Sequence, residues 1–177
     1  GKKEFVSTAK WPEYREENIN IKAEETEAYI KELLEDAYNI IKVTKFAPKQ
    51  IHFYVAASWK WKVYLKAVER AVSKTLTMKE LMAELLKDSE LKNKAKEVSK
   101  FAAKIMDEIN RMASEKKEKI LQIGKIDENQ ILNQAKEFFE KEFKAKIYVW
   151  KEENREKYDP KSKASMAMPY RPAIYIE

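Results

Sequence analysis

The stretch QIHFYVAASWKWKVYLKAV, residues 50–68, decides the fold because its hydrophobic period changes along its length. In the first seven residues, apolar side chains alternate with His52 and Tyr54, which predicts a strand. Beyond Ser58, a candidate helix cap, apolar residues recur every three or four positions from Trp61 onward, which predicts a helix. The stretch therefore indicates a strand that leads directly into a helix.

Two later segments alternate in the same way and predict two more strands. They are KAKIYVW at residues 144–150 and AIYIE at residues 173–177. The second follows a proline, and prolines belong at the start of a strand or on an edge strand, so we expect an edge strand there. In that strand, Ile174 and Ile176 should face the core while Tyr175 faces outward.

The remaining periodic segments are helical. Apolar residues at three-and-four spacing predict one helix over residues 21–44 and four more between the first and second strands, one of them over residues 91–112. Residues 151–170 have no period and are expected to form a loop. We therefore predict an α+β fold, in which an N-terminal helical segment is followed by a small three-stranded sheet covered by about four helices.

The composition excludes much familiar catalytic chemistry. The chain has no cysteine and a single histidine, His52, so thiolate metal sites, histidine zinc sites and histidine-activated nucleophiles are not expected. We interpret His52 as packed or hydrogen-bonded rather than catalytic. Paired carboxylates are frequent, but none is expected in an apolar context that would raise its pKa. The sequence therefore offers no credible active site.

The charge balance favours an anionic partner. Lys and Arg number 36 against 30 Asp and Glu, so the net charge is +6 and the isoelectric point is near 9.2. Nucleic acid is the commonest large anion. No apolar run approaches the roughly 20 residues that a membrane span needs, and the first residues lack the apolar centre of a signal peptide. We therefore expect a cytoplasmic protein without a membrane partner.

Cations are interleaved with aromatic residues in two places. One is the helix after the first strand, where Lys62 and Lys66 lie four residues apart, and the other is the segment over residues 146–171. Aromatic rings stack on unpaired bases while cations pair with phosphates, so both places are candidates for RNA binding. The alternative is a solvated charged surface with Trp61 and Trp150 in the core.

Three stretches resemble a known family. FVSTAKWPEYREE at residues 5–17 resembles the tail of the anticodon-binding helical bundle in the class I synthetases for leucine, isoleucine and valine. NIIKVTKFAPKQIHFYVAASWKWKVYLKAV at 39–68 and AMPYRPAIYIE at 167–177 resemble the C-terminal end of the archaeal and eukaryotic-cytosolic type of leucyl-tRNA synthetase. The resemblance covers essentially the whole chain.

The resemblance implies two domains. Residues 1–47 would be the tail of the helical anticodon-binding domain, and residues 48–177 an α+β C-terminal tRNA-binding domain. The parent enzyme joins leucine to its tRNA in protein biosynthesis, with ATP and magnesium bound by upstream domains. The family's HIGH and KMSKS motifs have no counterpart here, so the fragment is expected to be inactive alone and to hold no cofactor.

The resemblance also implies a partner. In this branch of the family, the C-terminal domain reaches the long variable arm of the leucine tRNA, tRNA(Leu), and we expect a monomeric fragment that contacts this arm and the upstream domains. The expected tRNA-binding residues are Lys62, Lys66, Lys161, Lys163, Tyr170, Arg171, Ile174, Tyr175, Ile176 and Glu177.

Two other functions stay open at this point. The first is a protein-interaction or dimerisation module that uses the apolar helix faces of residues 78–143 and has no RNA specificity. The second is a small enzyme whose site the motifs do not show. A dimer that survives high salt would favour the first, and a pocket with a strongly shifted carboxylate would favour the second.

Overall fold

The computed structural model describes residues 21–45 and 47–177. The FVSTAKWPEYREE segment, on which part of the family resemblance rests, lies outside the described residues. The elements in chain order are α1 Ile21–Thr44, β1 Gln50–Val55, α2 Ser58–Ser73, α3 Met78–Leu85, α4 Ser89–Asn93, α5 Ala95–Arg111, α6 Ser114–Ile123, α7 Glu128–Gln134, α8 Lys136–Phe143, β2 Lys146–Lys151, a 3₁₀ helix at Ala164–Met166, and β3 Ala173–Ile176.

The three strands form one mixed sheet in the order β2-β1-β3. β1 lies in the centre, parallel to β2 and antiparallel to β3. The register places His52 opposite Tyr148 on one side and opposite Tyr175 on the other. β3 is therefore an edge strand, as the proline before it predicts.

Helices cover one face of the sheet. Phe53 of β1 is fully buried there, with its ring centroid 5.2 Å from that of Phe139 on α8, and Leu33 of α1 belongs to the same core. Ile174 and Ile176 lie opposite Phe53 and Ile51 in the register and therefore share their face, whereas Tyr175 lies opposite His52, which agrees with the orientation predicted from their alternation. Full burial of a side chain such as Phe53 or Leu33 stabilises the fold by about 1.5–3 kcal/mol, so the sheet is held mainly through this face.

α2 connects the sheet to a second core made mainly of helices. Trp61 on one side of α2 is buried in the core of the sheet, whereas Val68 on the other side packs with the helices that follow. Leu81 of α3 and Ile105 of α5 are fully buried in this helical core. The three-and-four spacing of apolar residues in α2 therefore supplies two different faces at once.

The predicted fold class is confirmed, and the helices are shorter than their periodicity suggests. Residues 91–112 do not form one helix, because the backbone breaks at Lys94, which has φ −114° and ψ 27°. The short α4 before the break is capped by Asp88, whose carboxylate accepts hydrogen bonds from the main-chain N–H groups of Glu90 and Leu91. Seven α-helices follow β1 within the described residues, because breaks divide two of the four expected helices and α6 follows residue 112 as a separate helix.

The predicted cap of α2 is wrong. Ser58 is the first helical residue, and Ala57 at the cap position has no capping side chain. Instead, the main-chain N–H groups of Ala57 and Ser58 donate to the carboxylates of Glu152 and Glu153, at 3.0 and 3.2 Å. Parallel pairing brings the end of β2 to the start of α2, so the cap comes from a segment far along the chain.

In the part of the chain that the structure describes, no helix is both long and apolar enough to cross a membrane. The division into residues 1–47 and 48–177 stays a prediction. α1 shares its core with the sheet, since Leu33 and Phe139 belong to one cluster of buried side chains.

Candidate nucleic-acid interface

Main-chain and side-chain bonds tie the last residues to the sheet. The Glu177 N–H donates to the carbonyl oxygen of Gln50 at 2.9 Å, and the N–H groups of Gln50 and Lys49 donate to the Glu177 carbonyl oxygen at 2.8 and 2.7 Å. The Glu177 carboxylate accepts hydrogen bonds from the hydroxyls of Tyr158 and Tyr175, at 3.1 and 3.2 Å. These contacts fix the position of β3 and of its side chains.

The outer edge of β3 is open. In an antiparallel pair, alternate residues direct their main-chain groups toward the partner strand. Because Gln50 and Glu177 exchange two hydrogen bonds, Tyr175 also directs its main-chain groups to β1, whereas Ile174 and Ile176 direct theirs to the free edge. Within residues 21–45 and 47–177, no main-chain hydrogen bond joins these two residues to a segment outside the sheet. An open edge offers donors and acceptors to a partner.

A buried lysine anchors the loop between β2 and β3. Lys60 of α2 is 4% exposed, and its Nζ donates to the carbonyl oxygens of Ser165 and Ala167, both at 2.8 Å. The same ammonium forms an ion pair of 2.9 Å with Glu152. Burial lowers the pKa of Lys60, and the hydrogen bond to Glu152 opposes that effect. The loop is therefore held in a defined position against α2.

The first part of this loop displays two of the predicted cations. The Asp159 carboxylate accepts hydrogen bonds from the main-chain N–H groups of Lys163 and Ala164, at 2.7 and 3.0 Å, which closes a turn. Lys161 is exposed and Lys163 is half-buried. Neither ammonium is in an ion pair within the described residues. Both cations are available to an anion.

A tight turn leads into β3. Met168 and Arg171 exchange two main-chain hydrogen bonds of 2.9 Å, and Tyr170 between them has a φ of 63°. The Tyr170 hydroxyl donates to the carbonyl oxygen of Gly124 at 2.7 Å, and its ring centroid lies 5.0 Å from that of Trp61. Tyr170 thus fixes the turn to the helical part of the fold.

Arg171 is exposed at the end of this turn. Its guanidinium forms an ion pair of 2.6 Å with Glu108 of α5. About half of each side chain is accessible to solvent, so water and salt screen the pair. A phosphate can replace the carboxylate at modest cost.

The two lysines predicted to bind RNA on α2, Lys62 and Lys66, are paired with carboxylates. Lys62 pairs with Asp88 at 3.1 Å and Glu90 at 2.6 Å, and Lys66 pairs with Glu69 at 2.7 Å. Hydrogen bonds to Glu90 and Asp88 raise the pKa of Lys62. A phosphate backbone along this helix would have to displace these carboxylates, so α2 is a weaker anion site than its sequence suggests.

The tryptophans of α2 are core residues. Trp59 is 8% exposed with its ring 5.6 Å from that of Phe101, and Trp61 is 2% exposed. The alternative prediction placed both Trp61 and Trp150 in the core. Trp61 lies there, whereas Trp150 is half-buried on the sheet face that the helices leave uncovered. Of the two aromatic clusters, only the second presents a tryptophan near solvent.

That uncovered face carries rings from all three strands around His52. The ring centroids of Tyr148 and Tyr175 lie 4.9 and 5.8 Å from that of His52. The Trp150 Nε1–H donates to Nδ1 of His52 at 3.0 Å, so the neutral imidazole carries its proton on Nε2. Burial lowers the pKa of His52, and Glu177 opposes this. His52 is thus packed and hydrogen-bonded, as expected. We name this layer of rings the aromatic face; it comprises the half-buried Tyr148, Trp150 and Tyr175 and the buried His52 and Tyr54, which Tyr158 of the following loop contacts.

A buried carboxylate is the feature that sequence reasoning missed. Glu128 at the start of α7 is 3% exposed, and its Oε2 accepts a hydrogen bond of 3.3 Å from Trp61 Nε1. Burial raises the pKa of Glu128 to about 7. It lines a cavity of about 290 Å³ together with Lys125 and Lys151, and a pocket with a shifted carboxylate favours the small-enzyme alternative, although no histidine among the described residues lines this cavity. The expectation that no such carboxylate lies in an apolar context is wrong, because Glu128 is buried beside Trp61 of α2 and Tyr29 of α1.

No group of three or more histidine or acidic side chains suited to a metal ion occurs in residues 21–45 and 47–177. The open edge of β3, the cations outside ion pairs and the half-buried rings of the aromatic face together form a candidate binding surface.

Comparison with known proteins finds archaeal relatives that are similar over nearly the whole chain. The chain is 38% identical over 174 residues, 98% of its length, to a leucine–tRNA ligase of Pyrococcus abyssi. The chain is a homologue of the archaeal leucine–tRNA ligases. Over its whole length, it is 38% identical to the leucine–tRNA ligase of Methanosarcina barkeri and 36% identical to that of Methanocaldococcus jannaschii. No protein-family model matches the chain.

This leucyl-tRNA synthetase homologue spans only 16–18% of the length of these relatives. The predicted resemblance to the C-terminal region of archaeal-type leucyl-tRNA synthetases is confirmed. The tRNA-binding residues stay predictions. The structure places eight of the ten in the loop before β3 and in β3 with the residue after it, and it places Lys62 and Lys66 on α2.

Proposed function

We propose that this chain is a tRNA-recognition region of a leucyl-tRNA synthetase and that it contacts the long variable arm of tRNA(Leu). It supports the ligation of leucine to tRNA by upstream domains of the same cytoplasmic enzyme, which bind ATP and magnesium. Homology to leucine–tRNA ligases and the net charge of +6 support an RNA partner.

The observation that carries the proposal is the open edge of β3. The main-chain groups of Ile174 and Ile176 face this edge, while Glu177 is fixed by hydrogen bonds to Gln50 and Lys49. Donors and acceptors that are already held in place bind base edges with little ordering cost. A rigid strand edge therefore suits recognition of exposed bases.

The preceding loop supplies phosphate contacts. Lys161 and Lys163 are outside any ion pair in the described residues, and Arg171 can exchange the exposed Glu108 carboxylate for a phosphate. Phosphate contacts position an RNA, and base contacts select it. We assign Tyr170 to holding the turn rather than to base contact, since its hydroxyl and ring are engaged within the chain.

Lys62 and Lys66 are proposed as secondary contacts. Their ammonium groups are paired with carboxylates, so any binding there exchanges one anion for another. Their removal should weaken tRNA binding less than removal of Lys161 and Lys163.

The edge proposal is tested by changing Ile176. Proline at this position removes an N–H that faces the open edge and spares the bonds to β1. We expect affinity for tRNA(Leu) to fall about tenfold, the loss of one hydrogen bond to a base. Ile176→Val keeps the N–H and is the control. Equal affinity of the two variants, with unchanged circular dichroism, would refute recognition by the strand edge.

We propose that the chain acts as a monomer. The apolar helix faces considered for dimerisation are largely used inside the chain, as Leu81, Leu85 and Ile105 are buried in the helical core. Sizing chromatography with light scattering should give one chain per particle. A dimer that persists at high salt would favour the protein-interaction alternative.

A further inference from the structure

We propose that the aromatic face binds an unpaired RNA base, stacked on Tyr148 of β2, the edge strand on the opposite side of the sheet from β3. The proposal rests on the proposed function in taking RNA as the partner. It adds a second binding site, on a different edge of the sheet from β3. Its ligand is a single-stranded nucleotide, with the base against the ring and the phosphate against lysine.

The first argument is the parallel arrangement of the rings. His52 and Tyr148 are stacked with 14° between their planes, and His52 and Trp150 with 9°. Tyr148 and Trp150 are themselves 6.3 Å apart at 16°. This stack runs across the sheet and reaches β2, which is an edge strand. Another flat ring can extend it beyond Tyr148, as stacked aromatic rings favour such contacts.

The second argument is that most polar atoms of the face are engaged; within the described residues the exceptions are His52 Nε2, which is buried, and the Tyr148 hydroxyl. The Trp150 Nε1–H donates to His52, and the hydroxyls of Tyr158 and Tyr175 both donate to Glu177. These bonds fix the rings and leave mainly their planes for a ligand. A surface of this kind favours stacking of a base of any type over a peptide that needs hydrogen-bond partners.

The third argument is charge. The Nζ of Lys136 lies 5.8 Å from the centroid of the Tyr148 ring, and Lys146 is exposed on the same face of β2 by alternation. Neither ammonium forms an ion pair within the described residues, in contrast to Lys62 on α2. Glu177, the carboxylate of this face, is covered by two tyrosine hydroxyls. Cations beside an accessible ring match the phosphate and base of a nucleotide.

Substitution of Tyr148 provides the test. The probe is an adenylate hexamer with one 2-aminopurine, whose fluorescence is quenched when the base stacks. Tyr148→Phe keeps the ring and removes a hydroxyl that is in no hydrogen bond within the described residues, so it should bind and quench like the unaltered chain. Tyr148→Leu keeps an apolar side chain without a ring and should bind about tenfold more weakly, with the quenching lost.

Lys136→Gln supplies a second readout that leaves the rings in place. It should weaken binding and lower the slope of log affinity against log salt by about 0.7, the value for one phosphate of a single strand. Circular dichroism melting curves check that each variant is folded. An unchanged salt slope in this variant would count against a nucleotide at Tyr148.

The stacking proposal is overturned if the unaltered chain does not quench the probe, or if Tyr148→Leu binds and quenches as well as Tyr148→Phe. The variable-arm proposal is judged separately, from the affinities for tRNA(Leu) with long and shortened arms. If both tRNAs bind equally well while quenching of the probe still depends on the Tyr148 ring, the variable-arm proposal alone is refuted. If the long-arm tRNA binds more tightly while quenching does not depend on the Tyr148 ring, the stacking site alone is refuted.

Discussion

Glu128→Gln should stabilise the fold at alkaline pH by about 3 kcal/mol. Burial raises the pKa of Glu128 from 4.5 to about 7, so between these values the folded chain keeps a proton that the unfolded chain has released. This contribution is fully present below about pH 4.5 and is lost as the pH rises through about 7. At 1.36 kcal/mol per pKa unit, the loss is about 3 kcal/mol. Glutamine stays neutral and avoids it, while its side-chain oxygen still accepts from Trp61.

The assay is urea unfolding at about pH 4 and about pH 9, followed by circular dichroism. At each pH, the unfolding free energy of the unaltered chain is subtracted from that of the variant. Contributions from other titrating groups, including His52, are the same in both proteins and cancel. Glu137→Gln on the exposed side of α8 is the matched control and should change the unfolding free energy by less than about 0.5 kcal/mol. If Glu128→Gln is no more stable than the unaltered chain at pH 9, the buried-carboxylate reasoning fails.

Three further predictions concern stability and binding. Lys60→Met should destabilise the chain by about 3 kcal/mol in urea, because Glu152 loses its cation; a neutral effect would contradict this. Gly124→Ala should lower the free energy of thermal unfolding by about 1–2 kcal/mol. The cause is backbone strain at a φ of 68°, because the added methyl meets no atom within 4 Å and so causes no clash. Arg171→Ala should change stability by less than about 1 kcal/mol, given its exposed pair with Glu108, yet weaken tRNA binding measurably. Unchanged affinity would remove Arg171 from the interface.

The strands were predictable because their signal is local. Alternation in QIHFYVA predicts β1 at Gln50–Val55, and alternation in AIYIE predicts the inward faces of Ile174 and Ile176. The helix breaks were not predictable by the same means. The apolar period continues across Lys94, because α4 and α5 bury side chains in the same core.

The candidate site was only partly predictable, for reasons of distance along the chain. Lys62 forms ion pairs with Asp88 and Glu90, which belong to a later turn and helix. The sequence near Lys62 therefore does not show that its ammonium is already paired and less able to bind a phosphate. The aromatic face forms only when parallel pairing brings Tyr148 beside His52, which lies 96 positions earlier. No local pattern contains that information.

The central claim is tested most directly by the affinity of this chain for tRNA(Leu) with its long variable arm and for the same tRNA with that arm shortened, at low and moderate salt. We predict tighter binding to the long arm, and the preference should persist at the higher salt while both affinities fall. Equal, salt-sensitive affinity for the two tRNAs would contradict the account, because it would reduce the interaction to general attraction between a basic surface and RNA.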